Sequence, residues 1–315
     1  MALSLRPLAA EDIFRFRYVT DPALSPDGTR LAYAVRTLDP EADRYRSAIH
    51  LLTITSGATG TEGDDLLLTR GEYEDRQPTW SPDGRRLAFV SDRSGSRQLY
   101  LVDLRGGEPI RLTSLAGGAS GPRWSPDGRR IAFLSEEEVD PVRMARLTTG
   151  DERVARALAG RPRSHPASDV RLFTEVKYKA DGHGFLQKRA HLFVVDVAAA
   201  LAATDMTAAG AAPATMAQGG GQATSAETAT SGEGPVEGEG QAGVWRTPGQ
   251  GLEAASPAWS PDGRWLAWIE PHDASQDGFL RQDIRVYDLV SGVSRALFES
   301  PGPVAELAWS PQGTT

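Results

Sequence analysis

The sequence predicts an all-β protein, a β-propeller of four-stranded antiparallel blades, and three observations carry that expectation. A turn motif recurs: Ser-Pro-Asp-Gly begins at Ser25, Ser81, Ser125 and Ser260, and Ser-Pro-Gln-Gly begins at Ser310. Each complete unit continues into a short alternating run, such as Leu87-Ala-Phe-Val or Trp265-Leu-Ala-Trp-Ile, the pattern of a half-buried strand. The 33 glycines and 21 prolines supply the turns that so many short strands require. Self-similarity at a fixed spacing is the mark of a repeat architecture.

The turns come first. In Ser25-Pro26-Asp27-Gly28, Ser81-Pro82-Asp83-Gly84, Ser125-Pro126-Asp127-Gly128 and Ser260-Pro261-Asp262-Gly263, proline presets φ at the second position and glycine accepts the left-handed conformation at the fourth. These residues are read as structural. Trp80, Trp124, Trp259 and Trp309 precede four of the five turns, and Leu24 takes that place in the first. One blade cannot bury its own faces, so the tryptophans are expected to pack between blades, each covering ~150–250 Å². An aromatic binding surface is the functional alternative, and packing is preferred.

A second repeated strand follows: Ile49-His-Leu-Leu-Thr-Ile, Leu99-Tyr-Leu-Val-Asp-Leu, Leu192-Phe-Val-Val-Asp-Val and Ile284-Arg-Val-Tyr-Asp-Leu. Asp103, Asp196 and Asp288 share one column, which favours a strand-end role. Ser81 to Asp103 and Asp103 to Ser125 are 22 residues each, a base period of 44. Only one second strand lies between Ser125 and Ser260, so that stretch is one unit with two insertions. The count is four complete blades plus the start of a fifth, an incomplete ring.

The expected organisation is a short helical lead-in over residues 1–20, then blades 1–3 over 21–198 with an ordered insertion at about 136–189. Within that insertion Val154-Ala-Arg-Ala-Leu suits a helix, and the stretch from Val170 reads as a strand entering an Asp181-Gly182 turn. Residues 199–243, rich in Ala, Gly, Thr, Ser and Glu, are expected to form a mobile loop whose opening alanines extend a helical turn or two. Residues 244–315 complete blade 3, form blade 4 and open blade 5.

Composition excludes several classes. A net charge of -8 argues against nucleic-acid binding, and no apolar run reaches the ~20 residues of a spanning helix. Without cysteine there is no disulfide, thiolate metal site or cysteine nucleophile. No secretory signal is read at the N-terminus, and a cytoplasmic location is expected. No cofactor or metal is expected, since none of His50, His165, His183, His191 and His272 pairs with another at metal-ligand spacing.

The stretches Glu11-Asp-Ile-Phe-Arg-Phe-Arg, Pro22-Ala-Leu-Ser-Pro-Asp-Gly-Thr-Arg-Leu-Ala-Tyr and Tyr178-Lys-Ala-Asp-Gly-His-Gly-Phe resemble bacterial acylaminoacyl peptidases and dipeptidyl aminopeptidases of the prolyl oligopeptidase clan. The Trp-Ser-Pro-Asp-Gly pattern is shared with TolB-like propellers. The resemblance implies a propeller of ~7 blades over an α/β-hydrolase domain bearing a Ser-Asp-His triad, acting on short peptides. No Gly-x-Ser-x-Gly nucleophile elbow occurs, and the nearest approach, Gly118-Ala-Ser-Gly-Pro, has the wrong spacing. No catalytic residue is assigned; the hydrolase domain is expected to be a separate, absent partner and the chain inactive alone. A free-standing TolB-like module binding protein or peptide is the alternative reading.

Glu136, Glu137 and Glu138 invite comparison with the paired glutamates that hold a substrate's free amino group in dipeptidyl peptidases, through charge-assisted hydrogen bonds. A solvated acidic loop is the plain alternative. The pairs Arg85-Arg86 and Arg129-Arg130 read as exposed strand starts. Exposed blade faces of an incomplete ring are expected to favour self-association.

Overall fold

The computed structural model describes residues 7–57, 60–138, 179–180, 184–185, 188–208, 236–237, 241, 243–248, 253–272 and 281–313. After a 3-10 helix at Ala10–Arg15, closed by the Ala9 amide on the Asp12 carboxylate at 2.9 Å, the chain forms antiparallel blades. Blade 1 comprises β1 (Tyr18–Leu24), β2 (Arg30–Asp39), β3 (Arg44–Thr53) and β6 (Asp65–Leu67), with the hairpin β4 (Thr55–Gly57) and β5 (Gly60–Glu62) set between the last two. Blade 2 is β7 (Arg76–Trp80), β8 (Arg86–Ser91), β9 (Gln98–Asp103) and β10 (Ile110–Arg111). In blade 4, β18 (Ala255–Trp259), β19 (Trp265–Pro271), β20 (Gln282–Asp288) and β21 (Val293–Ser300) follow in order.

Blade 3 takes in the long interval as one sheet. Its β11 (Ser120–Trp124), β12 (Arg130–Glu138) and β15 (Lys188–Asp196) are followed by β17 (Val244–Arg246), with β16 (Val236–Glu237) as a fifth strand. A small hairpin, β13 (Lys179–Ala180) with β14 (Gly184–Phe185), stands before β15. Residues 139–178 of the expected insertion, its Val154 and Val170 segments included, lie outside the described residues, as do Asp181-Gly182 and most of the expected 199–243 loop. The alanine run after β15 differs from expectation. It forms α1 (Val197–Ala208), twelve residues rather than a turn or two, capped by the Asp196 carboxylate accepting the Ala199 amide at 3.0 Å. Asp at the N-cap and high-propensity alanines explain the start and the length.

The period of two decides which face each residue takes. In β8, Leu87 and Phe89 pack with Ala32, Ile49 and Leu51 of blade 1, while Ala88 and Val90 pack with Ile131 and Phe133 of blade 3. In blade 3, Phe193 and Val195 face blade 2, whereas Leu192 and Val194 face Trp259, Leu266 and Trp268 of blade 4. Three apolar seams thus join four blades. The first strands β1, β7, β11 and β18 pack on one another in succession around the axis. The arc is open: Ile13, Phe14, Phe16, Val19 and Leu24 are exposed at the blade 1 end, and Val293, Leu297 and Phe298 at the blade 4 end.

Candidate functional site

Each Ser-Pro-Asp-Gly turn is a closed hydrogen-bonded unit. Ser25 donates its hydroxyl to Asp27 at 2.6 Å and accepts the Arg30 amide at 2.9 Å, while Asp27 accepts the Thr29 amide at 3.1 Å. Ser81 with Asp83, Ser125 with Asp127 and Ser260 with Asp262 repeat the serine-to-aspartate bond at 2.6, 2.6 and 2.5 Å. The turn glycines have φ between 65 and 72°, and successive turns stack: Gly84, Gly128 and Gly263 lie against Pro26, Pro82 and Pro126 of the preceding blade. Four proline–glycine contacts therefore line one end of the arc of first strands, Gly313 against Pro261 being the last.

The bonds from Ser25 and the Thr29 amide hold the Asp27 carboxyl down at about 2. Ser81 and Ser260 lower Asp83 and Asp262 in the same way. At Asp127 burial opposes the shift, and the bonds from Ser125 and the Arg129 amide together outweigh it. A carboxyl depressed in the fold stabilises it above the unfolded value, 3.8 here, and that contribution is lost as pH falls toward about 2. Urea midpoints are therefore expected to fall between about pH 5 and about pH 2.5. Asp83→Asn should lower the pH 5 midpoint and shrink the acid-induced drop; an unchanged drop would contradict the assignment.

The repeated tryptophans reach across each seam to the same backbone atom. The indole N–H groups of Trp80, Trp124, Trp259 and Trp309 donate to the carbonyls of Ala23, Thr79, Arg123 and Ala258 at 2.8, 3.2, 3.0 and 3.0 Å. Each acceptor immediately precedes the corresponding column of the blade before. The arginine closing each turn also behaves differently from expectation. Arg85 and Arg129 are exposed, but Arg86 lies half-buried with its guanidinium 5.7 Å from the Trp124 ring, as Arg30 lies 4.7 Å from Trp80. The alternation of the strand turns Arg30 and Arg86 toward the next blade's indole.

A further column escaped the sequence reading. Four residues before each turn serine stand Asp21, Gln77, Gly121 and Ser256, with φ of 53, 52, 60 and 50°, each at a register shift in the first strand of its blade. They are bulges. The Asp21 carboxylate accepts the Gln77 amide at 3.2 Å, and the Gln77 side-chain carbonyl accepts the Gly121 amide at 2.9 Å, so bulge reaches bulge across two seams. The fixed offset and the polar or glycine residues were the available signal. Gln77→Ala should cost about 1–2 kcal/mol in urea unfolding, because the Gly121 amide loses its acceptor.

The end of the blades opposite the turns carries the glutamate run. Glu136, Glu137 and Glu138 lie on β12 opposite Ala190, Arg189 and Lys188. Successive strand residues face opposite sides, so Glu136 and Glu137 do not converge. Glu136 is exposed, its amide donating to Gly117 at 3.3 Å, and a Cβ at Gly117 would stand 1.6 Å from the Glu136 carbonyl oxygen. Glu137 meets Arg246 Nη1 at 3.1 Å and His191 Nε2 at 3.5 Å. The Glu138 side chain lies outside the described residues, as do His165 and His183.

His50 contacts Asp65 and His272 contacts Asp283, both at 2.9 Å, and the Asp283 bond raises His272 above its ordinary value. In the repeated aspartate column, Asp103 takes Arg105 and Asp288 takes Arg264, each through both carboxylate oxygens. Among the described residues no group of three His, Asp or Glu side chains is placed to hold a metal ion.

At the end of the blades opposite the turns, between blades 1 and 2, three arginines gather on Glu74. Arg36 reaches Oε1 at 3.3 Å, and Arg76 and Arg97 reach Oε2 at 3.5 and 3.3 Å. The Glu74 amide donates to Asp92 at 2.9 Å, and the Arg36 guanidinium carbon lies 3.7 Å from the centre of the Tyr45 ring. Burial lowers Arg76, Glu74 opposes, and the charges of Arg97 and Arg36 lower it further. Arg36 and Glu74 stand 38 residues apart in sequence, so no motif announced them.

Four-stranded antiparallel sheets stacked round an axis, latched by the indole of a recurring Trp-Ser-Pro-Asp-Gly motif, define a β-propeller. The family model PD40, the TolB beta propeller domain, matches residues 5–179, more than half of the chain, and the chain belongs to that family. Its relatives include peptidases. The uncharacterized peptidase YuxL of Bacillus subtilis is 41% identical over 116 residues, 36% of this chain and 17% of that protein. Dipeptidyl-peptidase 5 of Porphyromonas gingivalis is 35% identical over 81 residues, 26% of this chain and 11% of that one. The acylaminoacyl peptidase of Pyrococcus horikoshii shares the fold at 16% identity with a TM-score of 0.55, over 92% of this chain and 34% of that one. The chain thus spans about a third of that peptidase's length.

Proposed function

We propose that this chain is the non-catalytic propeller portion of a prolyl-oligopeptidase-clan peptidase, orienting or gating short peptides for an α/β-hydrolase domain. The 41% identity to a peptidase is the observation that carries the reading. The fold likeness to acylaminoacyl peptidase over nine-tenths of this chain supports it. Exposed Glu136, near the end of β12, is the residue assigned to meet a substrate ammonium. No helix among the described residues is long and apolar enough to cross a membrane, and a cytoplasmic location fits the absence of cysteine.

The second reading, a free-standing TolB-like binding module, draws on the 35% identity over 117 residues to the TolB homolog of Chlorobium luteolum. The coding frame beyond codon 315 separates them. The peptidase reading expects a Gly-x-Ser-x-Gly pentapeptide on a strand-to-helix turn within about a few hundred codons, and an immediate stop codon overturns it. On either reading the purified chain should not hydrolyse acyl-amino-acid nitroanilides; robust turnover would refute both. The apolar ends of the arc should make the isolated chain self-associate, and a monodisperse monomer by light scattering would contradict that.

A further inference from the structure

We propose that Arg36, Arg76 and Arg97, gathered on Glu74 at the end of the blades opposite the turns, form a binding site for a peptide carboxylate. Three guanidiniums bring about fifteen N–H donors to a carboxylate with about four lone-pair sites, so donors remain. The contacts to Glu74 are long, 3.3 to 3.5 Å, as expected of one acceptor shared three ways. Arg36 Nε is buried with no acceptor. The neighbouring carboxylates are turned elsewhere: Asp21 accepts the Gln77 amide and Asp92 the Glu74 amide.

The cluster is open and held in place. Side-chain exposure is 37% for Arg36, 26% for Arg76 and 55% for Arg97, against 12% for Glu74. Arg36 is stacked on Tyr45, Arg76 opens the first strand of blade 2, and the Arg97 carbonyl accepts the Ala119 amide of the next blade at 2.7 Å. Planar forks of this kind match a carboxylate in two-point contact. Arg76 begins β7 beside the Gln77 bulge, at the inner strand of the blade, so the site lies near the axis.

The inference rests on the peptide reading above and deepens it by naming the group recognised. That carboxylate is either a C-terminus or an acidic side chain. Three probes distinguish them: acetyl-Ala-Ala-Ala as the free acid, its C-terminal amide, and acetyl-Ala-Glu-Ala-amide, titrated calorimetrically at low salt. At least one acid is expected to bind about tenfold tighter than the neutral amide, and Arg97→Ala to remove about tenfold of that affinity. Arg97→Lys, which keeps the charge without the fork, should fall between. Because Arg97 is the most exposed of the three, unfolding curves of its variants should match the wild type. Equal binding of all three probes overturns the site and leaves the peptide reading standing. Binding of none overturns both. Acid binding untouched by Arg97→Ala and Arg36→Ala overturns the location.

Discussion

Trp124→Ala is expected to destabilise the protein by about 3–5 kcal/mol, measured as a shift in urea unfolding at constant slope. Trp124 is 9% exposed and sits in the seam shared by Val90, Leu99, Leu101 and Ile131, beneath the Arg86 guanidinium. Truncation opens a cavity as large as the indole, and the strands on either side are held apart by the remaining side chains. Trp124→Phe keeps most of the apolar contact and removes the N–H that Thr79 accepts, so it should cost only about 1–2 kcal/mol. Because stacked units are stabilised mainly by their interfaces, hydrogen exchange should rise first in β8, β11 and β12. A loss under about 1 kcal/mol for the alanine variant would show that the seam does not depend on this indole.

The second large effect is expected at Asp75. Its side chain is 1% exposed, and Arg93 clamps both carboxylate oxygens at 3.0 Å. Arg93 is itself framed by Tyr73, Phe89 and Tyr100, with its guanidinium carbon 5.5, 5.3 and 4.9 Å from the ring centres, and its Nε donates to Ser91 at 2.9 Å. The Asp75 backbone is tied to blade 1, its carbonyl accepting the Ser47 hydroxyl at 2.6 Å. Arg93→Met leaves a buried carboxylate without its counterion and should cost about 3–5 kcal/mol. The double variant Asp75→Asn/Arg93→Met removes the stranded charge, so it should be more stable than Arg93→Met alone. Equal losses in the two would show that packing of the arginine, and not its charge, is what matters.

Both effects fall on contacts between blades, and the two differ in how far the sequence announced them. Trp124 stands in a column beside a turn whose chemistry is local: serine, proline, aspartate and glycine close the hairpin within four residues, and the same solution recurs wherever they appear. Blade 3 was also legible as one blade, because only one second strand separates Ser125 from Ser260. Trp259 still donates to Arg123, 136 residues earlier, across the whole interval. Asp75 and Arg93, by contrast, carry no pattern. Neither do Arg36 and Arg97 on Glu74, nor Arg246 and His191 on Glu137.

The bulge column lies between these cases. Asp21, Gln77, Gly121 and Ser256 keep a constant offset from the turn, visible once sought, but their left-handed backbone breaks the alternation by which strands are recognised. The helix after β15 exceeded its expected length because alanine propensity acts together with an Asp196 cap that only the strand's end position reveals.

The amino-acid sequence alone determined the repeat, the turns, the strands and the pairing of alternate residues with opposite faces, since each depends on neighbours along the chain. Only the tertiary structure decided which carboxylates keep free partners and where guanidiniums accumulate. Those outcomes depend on the register between blades, which is set by the packing of whole sheets and by side chains whose separation in sequence bears no relation to their separation in space.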